Sequence, residues 1–188
     1  MRIALLRFSF LLLGVFLFFG CQTKLSREDF LQWVKNYENG LHVSQSFNGV
    51  VYDVQYLPTQ ARDYSIDSKE LRLGLQHVTL RIASHDGSDI LNRHATSPRD
   101  FQLNDYYYSY LFQQDIFLEQ GNNVLPCVLF HFERTADQHN NRVFNLAFEN
   151  EKDESEEFFL IIKSDRLSGL PVRIKFTRHA LPEIKHDS

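Results

Sequence analysis

At 188 residues with a formal net charge of −4 at pH 7, the chain is sized for one domain with room for a real core. A mildly acidic balance argues against nucleic acid as a partner, because binding it leaves a basic footprint. Two cysteines cannot build a disulfide framework, and eight glycines with no GxGxxG array argue against nucleotide binding.

The chain opens MRIALLR, with Arg2 and Arg7 as its charges, and residues 8–19 (FSFLLLGVFLFF) carry none. That run falls short of the ~20 apolar residues a membrane-crossing helix needs. A basic start, a short apolar middle and a small residue at the end describe a secretory signal peptide. After Gly20 and Cys21 the chain turns polar at once, as QTKLSRED. Gly20-Cys21 at this place resembles the end of bacterial lipoprotein signal peptides. In that family the peptidase cuts before the cysteine and its sulfur carries a diacylglycerol. Phe18 and Phe19 stand where the family usually has Leu and then Ala or Ser, a looser box of the kind tolerated in Bacteroidetes-type lipoproteins. The resemblance covers residues 1–21 alone. It implies cleavage between Gly20 and Cys21 and lipidation of Cys21. It also implies a lasting membrane anchor, since acyl burial contributes ~0.8 kcal/mol per methylene and more than one chain holds firmly. Gln22 in place of aspartate further implies the outer membrane, on its periplasmic face. Removing residues 1–20 takes away two arginines and no acids, so the charge moves from −4 to −6. An ordinary signal peptide and an uncleaved anchor are the competing readings.

Residues 21–25 then read as a lipid-anchored linker, 26–182 as a single mostly-β domain and 183–188 as a frayed tail. LSREDFLQWVKNYENG predicts a helix. Ser26 is a candidate N-cap with Asp29 three residues on, Phe30, Val34 and Tyr37 recur at helical spacing, and Gly40 is a natural stop. Trp33 could either pack on the domain or lie near the lipid surface. From residue 41 the period changes. Val50, Tyr52, Val54 and Tyr56 share one face, with Asp53 and Gln55 on the other. PTQARDYSIDSKELRLG is polar and partly helical in pattern. Val78, Leu80 and Ile82 alternate with His77, Thr79 and Arg81, and SHDGSD is turn chemistry.

SPRDFQLNDYYYSYLF carries two signals. Ser97, Pro98 and Asp100 suit a helix start, while Tyr106, Tyr108, Tyr110 and Phe112 line up at period two. The reading is a helical turn leading into a strand. DIFLEQ, the turn GNN and VLPCVLFHFER predict two paired strands, the second apolar on both faces like a buried central strand. VFNLAFEN, FFLIIKS and PVRIKFTRH follow as strands, separated by the acidic EKDESEE and by DRLSGL. With 17 Phe and 8 Tyr, the chain favours strands over a helical bundle. The fold class is mostly β, an antiparallel β-sandwich or open barrel with one or two short helices near the N-terminus.

Chemistry is sparse. HExxH, paired CxxC, GxSxG and phosphate-loop motifs do not occur, so neither a metal nor another cofactor is implied. His131 and Glu133 share one strand face and could act as base and acid. A metal would need a third ligand, and the candidates His85, His94 and His139 lie in loops. DGSD, Asp86 to Asp89, reads as a turn rather than a calcium loop. Cys127 lies in an apolar run and reads as a core residue rather than a reactive thiol. The tyrosine run at Tyr106, Tyr107, Tyr108 and Tyr110 is the most unusual stretch, readable as a recognition surface or as core. The expected function is a membrane-anchored lipoprotein acting as a non-catalytic binding or envelope-assembly module. Its partners would be the membrane, through acylated Cys21, and an envelope protein, polymer or lipid. A periplasmic carrier of an apolar ligand is the alternative, and a hydrolase built on His131 and Glu133 comes third.

Overall fold

Alternating apolar residues give most of the strands one face to bury, and eight strands pair in a single curled sheet. A computed structural model describes residues 24–58, 74–134, 140–149, 156–179 and 181–185. The strands are β1 (His42–Phe47), β2 (Val50–Leu57), β3 (Gln76–Ser84), β4 (Ile116–Gln120), β5 (Asn123–Glu133), β6 (Arg142–Phe148), β7 (Glu157–Ile162) and β8 (Val172–Thr177). Their order in the sheet is β1-β2-β3-β6-β5-β4-β7-β8, and neighbours pair antiparallel throughout. The protein is thus mostly antiparallel β, a nearly closed barrel, in agreement with the sequence reading.

The predicted alternation sets which side chains face inward. Val50, Tyr52, Val54 and Tyr56 are buried on β2, and Val78, Leu80 and Ile82 on β3. Phe158 of β7 and Phe176 of β8 stack at 5.0 Å, with the Tyr56 ring edge-on to Phe158 at 4.8 Å. At this pole the buried amides of Gln76 and Gln120 hydrogen-bond each other reciprocally, at 3.0 and 2.8 Å. The Tyr56 hydroxyl donates to the Gln76 carbonyl at 3.0 Å. A polar pair buried with its partners satisfied avoids the desolvation cost that either amide alone would carry.

The two edge strands meet at both ends of the seam. The Thr177 amide donates to the Gly40 carbonyl at 3.0 Å. Gly40 adopts φ +75°, and a Cβ there would lie 2.5 Å from the Thr177 oxygen, so the close approach requires glycine. At the other end, the Asn48-Gly49 turn joins β1 to β2 with both residues at positive φ, the geometry that matches hairpin twist. Asn48 there donates its side-chain amide to the Ser168 carbonyl at 2.9 Å.

Helix α1 (Arg27–Lys35) begins as the sequence predicts, with Ser26 accepting from the Asp29 amide, and it buries Phe30 and Val34. Trp33 is half-buried against the core. The Tyr37–Asn39 turn is pinned to the sheet. The Tyr37 hydroxyl donates to Asp53 at 2.7 Å, and the Tyr37 ring stacks on His42 at 3.9 Å.

Three expectations need correction. The predicted helix stops at Lys35 rather than at Gly40, because Asn36 adopts an extended backbone and Tyr37–Asn39 form a separate 3-10 turn. The tail is tied down as far as it is described: Ile184 pairs parallel with Leu25, through Leu25 N to Glu183 O and Lys185 N to Leu25 O, both 2.8 Å. Strand β5 is not apolar on both faces in one register. It pairs with β4 through Pro126 and with β6 from Cys127, and a bulge between Cys127 and Leu129 resets its phase. Leu125 and Cys127 point inward before the bulge and Phe132 after it, while Val124 and Leu129 are exposed. An extra residue shifts a period-two pattern to the other face, which reads in sequence as hydrophobicity on both sides.

Candidate binding face

Helix α2 (Pro98–Tyr106) and the π-helical turn Tyr107–Leu111 close one side of the barrel. Ser97 caps α2 by accepting from the Asp100 amide at 3.2 Å, and Pro98 opens the first turn. The Asp100 carboxylate in turn accepts from the Thr96 amide and hydroxyl and from the Ser97 hydroxyl. These bonds hold the Asp100 carboxyl below its ordinary range.

The predicted strand at residues 106–112 is a helix, and this divides the tyrosine run. Asn104, Tyr107, Tyr108 and Phe112 face the core, while Leu103, Tyr106 and Tyr110 face out. The period-two row of aromatics is a coincidence of composition; helical geometry sends Tyr106 and Tyr110 outward and Tyr108 and Phe112 inward. Tyr107 and Tyr108 are therefore not part of a recognition surface. The Tyr107 hydroxyl donates to Asp115 and lies 2.7 Å from Ser164 Oγ, anchoring the turn to the chain after β7. Burial raises the Tyr107 and Tyr108 phenols well above their ordinary values, with Asp115 adding to the effect at Tyr107. The Tyr108 hydroxyl has no hydrogen-bond partner among the described residues.

Tyr106 and Tyr110 are 54% and 60% exposed, with ring centroids 5.3 Å apart. Arg134, just past β5, donates to the Tyr110 hydroxyl at 3.2 Å and lies 6.0 Å from its ring. Phe101, Leu103 and Leu111 are exposed on the same segment, so five of the nine exposed large apolar residues described fall within residues 101–111.

Leu103 also lines a cleft of about 260 Å³ with Arg93, His94, Asp100, Asn104, Asp165 and Arg166. Buried Asn104 is its hub. Its amide nitrogen donates to the carbonyls of Leu91 and Arg93, at 2.9 and 3.0 Å, and its oxygen accepts from Arg166 at 2.6 Å. The Arg166 guanidinium lies 5.0 Å over the Tyr107 ring. Arg93 donates to the carbonyls of Leu167 and Asn48, both at 2.8 Å. Arg93 thereby bridges the β1–β2 turn to the loop before β8.

The other sequence candidates lie apart from this face. His131 and Glu133 are exposed on the outer side of β5, and Glu133 accepts from the Asn145 amide at 2.9 Å. His131 shares a shallow groove of about 340 Å³ with His77, Leu129 and Asn145. Among the described residues, no three His, Cys, Asp or Glu side chains gather where they could hold a metal ion. His94 lies in the arginine cleft, His85 is exposed, and His139 falls outside the described residues. Asp89 forms a bidentate ion pair with Arg142. Cys127 is buried, and that burial pushes its thiol up to about 11. Gly20 and Cys21 lie outside the described residues. Sequence reasoning missed Arg93 and Arg166, because nothing local marks which arginine lacks a carboxylate partner.

Comparison with protein-family models and with curated proteins gives no match. Among solved structures, the chain is similar to a DUF4426-family protein from Pseudomonas aeruginosa PAO1. That likeness has 9% identity and a TM-score of 0.36, over 79% of this chain and 99% of that one. No functional statement rests on a likeness at that level.

Proposed function

We propose that this protein is a lipid-anchored, non-catalytic binding module of the bacterial envelope, tethered through Cys21 at the periplasmic face of the outer membrane. It holds a partner protein against the outward row of α2 and the π turn. The observation that carries this is the concentration of exposed apolar side chains at residues 101–111, with Tyr106, Tyr110 and Arg134 together. Tyrosine and arginine beside aliphatic contacts are the residue types that dominate protein–protein binding energy. A π turn adds weight, since such turns are frequent at functional sites. A lipid carrier finds less support, because Tyr52, Tyr108, Phe112, Phe144, Phe148, Phe158 and Phe176 fill the inside of the sheet. A hydrolase on His131 and Glu133 finds less still, with Glu133 already engaged by Asn145.

Two measurements test the reading. Intact mass of the membrane-extracted protein should equal residues 21–188 plus acyl chains, with a Cys21→Ser control losing them; an unlipidated mass overturns the anchor. A photo-crosslinking residue at Phe101 should yield one discrete protein adduct in cells, lost on Tyr106→Ser/Tyr110→Ser. An adduct indifferent to that double change overturns the docking face.

A further inference from the structure

We propose that the cleft beside α2 is a monoanion subsite that takes a carboxylate of the bound partner, with the partner's adjoining apolar side chain on Leu103. This rests on the reading of the α2 face as a docking surface and names the chemistry it selects. Arg93 and Arg166 both line the cleft, and neither forms an ion pair among the described residues. Their guanidinium groups are held instead by neutral oxygens: the carbonyls of Asn48 and Leu167, and the side-chain oxygen of Asn104. Neutral acceptors orient a guanidinium without cancelling its charge, so two cations without an ion-pair partner line the same cleft. Orientation made in advance spares a ligand the entropy of ordering them.

The acids of the cleft set the charge it accepts. Asp100 is taken up by donors from Thr96 and Ser97 at the start of α2, where the helix dipole offsets its charge. Asp165 makes no ion pair among the described residues. Two guanidinium groups against one uncommitted carboxylate suit a single negative charge. A phosphate dianion would bring a second negative charge into a cleft already lined by Asp100 and Asp165. A carboxylate also matches the planar fork of arginine. Leu103, shared by the cleft and the exposed row, puts an apolar contact next to the anion, as an acidic or C-terminal peptide residue would need.

The test uses the full lipidated chain in detergent micelles, labelled with ¹⁵N and with ¹³C at Leu methyls. The probes are N-acetyl-leucine, N-acetyl-leucinamide and phenyl phosphate. N-acetyl-leucine should shift the Arg93 and Arg166 side-chain N–H signals and the Leu103 methyls saturably. The amide, lacking the charge, should bind at least about tenfold more weakly, as should N-acetyl-leucine to Arg166→Gln, the loss expected for one hydrogen bond to a charged group. Asp165→Asn, at an exposed site, should tighten carboxylate binding, and this variant keeps the test intact if Arg166→Gln fails to fold. Equal binding of the amide, tighter binding of phenyl phosphate, or no shift up to the probe's solubility limit would each overturn the proposal. A saturable carboxylate site together with an unchanged Phe101 adduct in the tyrosine double variant would sink the docking face and leave the subsite standing.

Discussion

Buried Arg142 differs from the pair Arg93, half-buried, and Arg166, exposed, in what holds its guanidinium. Arg142 is buried on β6, lies over the Phe132 ring and forms a bidentate ion pair with Asp89, also donating to the Arg134 carbonyl. Its charge is cancelled where it sits, and it ties β6 to the chain after β3. Arg93 makes two hydrogen bonds and Arg166 one, and their acceptors are two carbonyls and one amide oxygen. The first arrangement leaves no charge to offer, while the second leaves two cations lining a cleft. Hydrogen bonding alone does not tell a structural arginine from an available one; the charge of the acceptor does.

Removing one side of a buried ion pair strands the other, which typically costs ~3–5 kcal/mol. Arg142→Ala should show a loss of that order in urea unfolding of the full chain, because Asp89 is then left at 14% exposure without its cation. A loss under about 1 kcal/mol, the scale of an exposed pair, would break the contrast drawn here. Arg93→Ala orphans two carbonyls at the barrel seam but strands no charge, so the expected loss is smaller, ~1–3 kcal/mol. A cost equal to that of Arg142→Ala would mean that seam closure, rather than acceptor charge, sets the scale.

Smaller effects sharpen the division within the tyrosine run. Tyr108→Phe removes a buried hydroxyl with no partner. It should leave stability unchanged or raise it by up to ~1 kcal/mol, read as an unchanged or higher denaturation midpoint. Tyr107→Phe deletes the contacts to Asp115 and Ser164 and should lower stability by ~1 kcal/mol or more, read as a lower denaturation midpoint. Tyr106→Ser/Tyr110→Ser should move stability by ~0.5 kcal/mol or less, the range of surface changes, while abolishing the partner adduct. If the double variant unfolds the protein, those rings are structural and the docking face is wrong.

Much of the scaffold was legible residue by residue. The alternation of Val50, Tyr52, Val54 and Tyr56 placed β2 with the face it buries, and GNN placed the β4–β5 turn, where Gln120 pairs Asn123. Ser26 and Ser97 marked helix starts that both exist. Strand β1 and the Asn48-Gly49 turn after it are absent from the sequence reading, since His42, Ser44 and Ser46 leave the β1 pattern faint. The tyrosine run misled because Tyr106, Tyr108, Tyr110 and Phe112 at period two satisfy a strand, while Asn104, Tyr107, Tyr108 and Phe112 at helical spacing form the buried face of a helix.

By itself the sequence determined the strand-rich class, the hairpin turns and the helix caps, because backbone period and capping are set within a few neighbouring residues. Only the tertiary structure decided that Tyr106 and Tyr110 face out, that β5 changes phase at a bulge, and that Arg93 and Arg166 meet neutral oxygens while Arg142 meets Asp89. Arg93 finds Asn48 45 residues away and Leu167 74 residues away, and Arg142 finds Asp89 at 53. A charge's partner is chosen by chain segments that only folding brings together, and no local pattern carries that choice.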